Sequence, residues 1–237
     1  MTLARRLAAE ALGTGLLLVA VVGSGIMGER LAGGNVAIAL LANTIATGAA
    51  LVALILMFGS VSAHFNPAVT LVEAIGGRMI ARDAAVYVVV QVGGAFAGVA
   101  VAHIMFTAAL FTPSAHVRSG AAQLVSECVA TFGLIGVILG CTRTRPAALP
   151  FAVGAYITAA YWFTASTSFA NPAVTLARTA TDSFAGIRPI DAPGFVVAQL
   201  VGAGVAAAVF GWLLRDEGQK RVLLEMDDRR REGRAGR

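Results

Sequence analysis

Long apolar runs separated by short charged breaks make up this chain, and that pattern predicts helices that cross a membrane. Residues 11–28, 31–72, 84–117, 128–142, 146–177 and 192–214 contain no Asp, Glu, Lys or Arg. A spanning helix needs about 20 apolar residues. The run 31–72 therefore holds one span plus a shorter segment, and 146–177 repeats that arrangement. The spans fall near 7–27, 35–58, 84–108, 123–142, 148–166 and 191–214, and a half-helix begins after Asn66 and another after Asn171. The predicted class is an all-α membrane protein with six transmembrane helices and two re-entrant half-helices.

Both short segments open on the same phrase. Asn66-Pro67-Ala68-Val69-Thr70-Leu71 and Asn171-Pro172-Ala173-Val174-Thr175-Leu176 lie 105 residues apart. Proline fits the first turn of a helix because its fixed φ suits the position and its missing N–H is not needed there. Asparagine caps the turn from the position before. Non-helical backbone at membrane depth is tolerated where it lines a cavity, so both asparagines read as lining a pore.

The repeat extends beyond that phrase. Ala9-Glu10-Ala11-Leu12-Gly13-Thr14 resembles Ser126-Glu127-Cys128-Val129-Ala130-Thr131, and Val90-Gln91-Val92-Gly93-Gly94 resembles Ala198-Gln199-Leu200-Val201-Gly202. Each half, about 5–110 and 122–214, carries three spans with a half-helix after its second. Three spans reverse the side on which the next half starts, so the halves form an inverted repeat. The half-helices then enter from opposite faces and meet by their N-termini near the midplane. Each N-terminus carries roughly half a positive charge. A cation is repelled there, while asparagine amides offer donors to the oxygen of a neutral solute. Gly94 with Gly98, and Gly202 with Ala206, are small-residue pairs at the spacing that lets helices approach closely in lipid. Gln91 and Gln199 read as interhelical hydrogen-bond formers.

Composition agrees with a membrane protein: 57% of residues are hydrophobic, 13% are charged and 27 are glycine, with mean hydropathy +0.78. Fourteen of the 18 Lys and Arg fall on the side of the termini, in Arg5, Arg6, the 78–82 and 143–145 segments and the tail. The positive-inside rule puts both termini in the cytoplasm and the protein in the inner (plasma) membrane. A pI near 10 does not imply a nucleic-acid partner, because eight of the 18 basic residues lie in residues 215–237 mixed with six acidic ones, read as a charged, solvated cytoplasmic tail. Residues 1–214 form a single channel domain. The first twenty-odd residues imitate a signal peptide, but Glu10 and its repeat at Glu127 argue for a retained helix. Cys128 and Cys141 have neither metal-ligand nor disulfide spacing and read as buried apolar side chains. His64, His103 and His116 lie in different segments, and neither a nucleophile–base set nor a phosphate loop is present. The reading is not an enzyme, with no cofactor and no metal.

The paired Asn-Pro-Ala motifs at this spacing, the duplicated Glu10 and Glu127, and Ala63-His64-Phe65 before the first motif together resemble the aquaporins, the major intrinsic protein family, across residues 5–214. The resemblance implies tilted helices around a narrow pore, one pore per subunit, and a homotetramer. It further implies that Glu10 and Glu127 brace the re-entrant loops. His64 either holds its loop or titrates and gates the pore.

Departures from the family pattern bear on the solute. An arginine is expected directly after the second motif, and Val174 stands there. Arg178 lies one turn further along the same face, where it either snorkels to the outer interface or serves as a displaced filter residue. By offset from the motifs, the other filter positions are Thr47 (Ala46 if no glycine is missing before His64), Ala159 and the backbone near Ser168. Thr, Ala and Val make a wide, uncharged constriction that suits solutes larger than water. The stretch from Tyr161 to Ile187 is similar to bacterial aquaporins associated with arsenic resistance, which implies arsenite or a methylated arsenical as solute. The expected function is a passive channel for small neutral solutes, metalloid hydroxides such as arsenite or methylarsenite and/or glycerol as well as water; the alternatives are a proton-coupled secondary transporter using Glu10 and Glu127 and an orthodox water channel.

Overall fold

The computed structural model describes residues 1–214; the predicted tail at 215–237 lies outside the described residues. Among those residues are eight α-helices and no strand: α1 (Leu3–Leu31), α2 (Val36–Phe58), α3 (Pro67–Ile75), α4 (Ala81–Met105), α5 (Ala121–Thr144), α6 (Leu149–Phe163), α7 (Pro172–Arg178) and α8 (Ala192–Leu213). Six cross the fold, and α3 and α7 are the two half-helices. The fold class is the one read from the apolar runs.

Helix ends follow local chemistry. The Asn35 side chain accepts from the N–H groups of Ala37 and Ile38 at 3.1 and 3.3 Å, capping α2. The third span begins at Ala81, three residues earlier than the charge-free run, because Asp83 sits favourably in a first helical turn and pairs with Arg6 of α1 at 2.9 Å. Five helices are long and apolar enough to cross a membrane by themselves. The exception is α6, which has 15 residues and follows a 3₁₀ turn at Pro146–Ala148. It stops at Phe163, short of the expected 166, because Thr164 turns extended and the chain re-enters the protein to build the second motif.

The two halves pack alike. Helix α1 lies against α4 and α2, α5 against α8 and α6, and the α2–α6 contact joins the halves. Half-helix α3 touches both α4 and α8, α7 touches both α8 and α4, and the two meet each other. Each half-helix is thus clamped by helices from both repeats. Leu18, Val22, Ala95 and Val99 fill the α1–α4 side of the core, and Ala68, Ile135, Ala203 and Ala206 fill the α5–α8 side. The thiols of Cys128 and Cys141 are free and half-buried rather than fully buried.

Two glycines at matching places set the helix separation. A side chain on Gly94 would collide with the Ala11 carbonyl of α1, and one on Gly202 with the Cys128 carbonyl of α5. Backbone cannot yield as a flexible side chain can. Gly202→Leu is expected to force α5 from α8, at a cost above the 1–3 kcal/mol typical of core overpacking. Gly204→Leu, in the same helix with nothing within 4 Å of its Cβ site, should leave stability unchanged. Thermal unfolding of the two variants in detergent is the check, and equal midpoints would contradict this packing.

Candidate functional site

Each Asn-Pro turn is held by a carboxylate from the first helix of its own half. Glu10 on α1 accepts the backbone N–H of His64 at 2.8 Å and of Phe65 at 2.7 Å, the Ser62 hydroxyl at 2.6 Å and the Gln91 amide at 2.8 Å. Glu127 on α5 accepts the N–H of Phe169 and of Ala170 at 2.9 Å each, and the Gln199 amide at 2.6 Å. The glutamines give their second N–H to Thr70 and Thr175, the fourth residue of each half-helix, at 2.9 and 2.8 Å. Both carboxylates and both glutamines are fully buried. A buried charge costs heavily unless it is hydrogen-bonded, and these bonds meet that need while fixing the loops.

The loops require fixing because their backbone is strained. Phe65 and Ala170, the residues before each asparagine, both have φ 49°, and Thr167 and Ser168 are left-handed as well. Side-chain-bearing residues in that region cost of order 1–2 kcal/mol each. The conformation turns the Phe65 and Ala170 carbonyls toward the opposite half. Asn66 donates through Nδ2 to the Ala170 carbonyl at 2.8 Å, and Asn171 to the Phe65 carbonyl at 2.7 Å. Their side-chain oxygens cap the half-helices, Asn66 accepting from Ala68 N–H at 2.9 Å and Asn171 from Ala173 and Val174 N–H at 3.0 and 3.3 Å. An amide nitrogen carries two N–H donors, and one on each asparagine has no partner among the described residues.

Both asparagines lie in the wall of one continuous cavity of about 440 Å³, which extends from Arg6, Arg78 and Leu149 at one end to Thr47, Tyr161 and Arg178 at the other. Leu17, Val21, Leu51 and Ile55 are among its apolar lining residues. Pro67, Ala68, Pro172 and Ala173 are buried in the half-helix starts behind the asparagines. His64 lines the cavity, gives its N–H to Glu10, and places Nδ1 3.1 Å from the Thr70 hydroxyl. Those contacts are the loop-holding ones.

At the other end the offset-based positions divide. Thr47, Ser168 and Val174 line the cavity, and Ala46 does not. Ala159 also does not: it is exposed on the outer face of α6. Helical residues two apart lie about 200° apart around the axis, so the wall is formed instead by Ile157 and Tyr161, one turn from each other on the inward face. The Tyr161 hydroxyl donates to that of Thr47 at 3.3 Å. Arg178 does not snorkel. It is 2% exposed, lines the cavity, donates through Nε to the Ala185 carbonyl and stacks with its guanidinium carbon 3.3 Å from the centre of the Phe169 ring. Tyr161 and Phe169 are thus residues that offset counting misses; Tyr161 is recoverable only by keeping helical phase through α6.

The loops at residues 106–120 and 179–191 are tied down beside this end. Arg118 donates to the carbonyls of Gly186, Ser166 and Phe184 and to the Thr167 hydroxyl. Burial pulls its guanidinium down to about 10, so it stays charged at neutral pH. Asp191 accepts two bonds from Arg188 and the N–H of Arg118, and the Arg188 hydrogen bond holds its carboxyl below the usual range.

Two re-entrant half-helices meeting across a single conduit in an inverted repeat define a multi-pass membrane channel. Comparison with known proteins agrees. The family profile "Major intrinsic protein" matches residues 1–150 and 144–229. Aquaglyceroporin AqpS of Rhizobium meliloti (strain 1021) is 59% identical over 214 residues, 90% of this chain and 91% of that protein. The probable aquaporin AqpM of Archaeoglobus fulgidus is 30% identical, covering 91% of this chain and 99% of its own length. In fold, the aquaglyceroporin of Plasmodium falciparum superposes with TM-score 0.69 at 20% identity, over 88% of this chain and 96% of that one. The chain belongs to the major intrinsic protein family, whose aquaglyceroporins are channels and not enzymes.

Proposed function

We propose that this chain is a passive channel for small neutral solutes whose wide constriction admits metalloid hydroxides, such as arsenite or methylarsenite, and/or glycerol, as well as water. The observation that carries the reading is Val174: a short apolar side chain in the conduit wall beside Thr47 and Tyr161, where the family resemblance leads one to expect an arginine. A shorter side chain leaves more room, and a neutral solute sheds less hydration in passing an apolar wall than an ion does. The similarity to a protein named as an aquaglyceroporin supports the same solute class. The inner membrane, cytoplasmic termini and a homotetramer follow as proposals from the arginine distribution and the resemblance; aromatic residues exposed on one chain, such as Phe151 and Phe163 on α6, suit either lipid or neighbouring subunits.

Against proton-coupled transport stands the burial of Glu10 and Glu127, whose oxygens are occupied by loop N–H groups. Vesicles containing the purified protein are expected to equilibrate glycerol and arsenite far faster than empty ones, and collapsing the proton gradient should change neither rate. Equal rates in empty and loaded vesicles would end the solute reading, and dependence on the gradient would revive coupling. Water flux in the same preparation, measured by stopped-flow, separates a wide channel from an orthodox water channel.

A further inference from the structure

Two guanidinium groups flank one aromatic ring at the outer end of the conduit. The Arg118 carbon lies 5.0 Å and the Arg178 carbon 3.3 Å from the centre of Phe169. Neither belongs to an ion pair; among the described residues those are Arg6 with Asp83, Arg78 with Glu73, and Arg188 with Asp191. Their donors are used unequally. Arg118 bonds three carbonyls and a hydroxyl of the loops around it. Arg178 bonds the Ala185 carbonyl through Nε and interacts with the Tyr161 hydroxyl, and its Nη1 is buried with no partner among the described residues.

The direction of the side chain matters as much as its charge. Long side chains on a helix lean toward its N-terminus and cover the preceding turn. From position 178 that turn carries Val174, and the stacking on Phe169, two residues ahead of Asn171, agrees with a guanidinium that reaches back along α7. Thr47, Tyr161, Val174 and Arg178 share the wall there.

Resting on the channel reading above, we infer that Arg178 is the charged donor of the outer constriction, delivered from one turn beyond Val174: it bonds the hydroxyl oxygens of a neutral polyol or metalloid hydroxide and keeps cations out. Width and charge are then supplied by different residues. Val174 leaves space for the carbon or metalloid centre, and the planar guanidinium offers parallel donors to neighbouring hydroxyls. Positive charge in a low-dielectric wall, outside any ion pair and with the nearby Glu127 already bonded to loop N–H groups, repels a cation, and the half-helix N-termini add to the barrier deeper in.

Vesicle measurements on Arg178→Gln and Arg178→Lys test this. With water permeability retained, the glutamine variant is expected to leak sodium ions and protons at least about tenfold faster than the unmodified protein, while the lysine variant stays tight. In the lysine variant the glycerol-to-water permeability ratio should fall about threefold or more, because a compact ammonium cannot present the planar fork. A glutamine variant that conducts water and remains tight to cations would overturn the inference, as would a lysine variant that leaks equally. Should the glutamine protein fail to assemble, an unchanged glycerol-to-water ratio in the lysine variant would overturn it instead. The channel reading fails separately: if the unmodified protein passes neither glycerol nor arsenite, the cation leak of Arg178→Gln still decides the barrier.

Discussion

Vesicles carrying Val174→Arg are expected to pass glycerol at least about tenfold more slowly than the unmodified protein, a change of about 1.4 kcal/mol or more in the barrier, with water slowed by about threefold at most. Val174 sits in the first turn of α7, its N–H on the Asn171 side chain, and lines the conduit with Thr47 and Tyr161. A longer, charged side chain at that position fills the space a polyol needs but leaves a file wide enough for single water molecules. The introduced guanidinium would lie four residues from Arg178 on one buried helix face, where burial strengthens the repulsion between like charges, so the unfolding midpoint of the variant is read beside its fluxes. Paired glycerol and water fluxes in one preparation are the measurement. Glycerol flux that does not change would place the narrowest point elsewhere in the conduit.

Glu127→Ala is expected to abolish flux altogether and to lower thermal stability sharply. Its removal leaves the N–H groups of Phe169 and Ala170 and the Gln199 amide without their acceptor in a fully buried site. Each buried donor left unmade costs about 1–3 kcal/mol, more against a charge. Three of them approach the 5–15 kcal/mol by which whole proteins are stable. The left-handed backbone at Ala170 would then relax and displace Asn171. Glu127→Gln keeps one acceptor oxygen and should fall between the two. A proton carrier behaves differently, since the glutamine variant of a carrier loses coupling while keeping its fold. Permeability and unfolding midpoint, measured for both variants, separate the cases, and an alanine variant that conducts normally would show that the loop is held by other groups.

The membrane spans, both half-helices and the inversion were legible because each depends on chain-local signals: apolar length, a proline-bearing helix start and a phrase repeated in each half. Glu10 and Glu127 were visible by the same repetition. Ala159 shows where such reading stops. Counting back from Asn171 fixes a position by number alone and ignores helical phase, and the residues of α6 that face the cavity are Ile157 and Tyr161, two to either side. On a helix, two residues turn an inward side chain outward. Arg178 failed for another reason. Periodicity placed it on the face of Val174, but depth depends on the Ala185 carbonyl and the Phe169 ring, which come from a loop beyond the half-helix and from the turn before it. The left-handed carbonyls of Phe65 and Ala170 carried no sequence signal, since neither is glycine.

The crossed amide bonds have a consequence for biosynthesis. Asn66 is satisfied by a carbonyl at position 170 and Asn171 by one at position 65. The ribosome delivers the first partner of each bond about a hundred residues before the second. A nascent chain containing only the opening half therefore holds an idle amide and an idle carbonyl in the bilayer, and it lacks the far wall of the passage. The asparagine pair and the path it lines are finished in the same step, so a prematurely terminated polypeptide is expected to leave the cell without a working hole in its membrane.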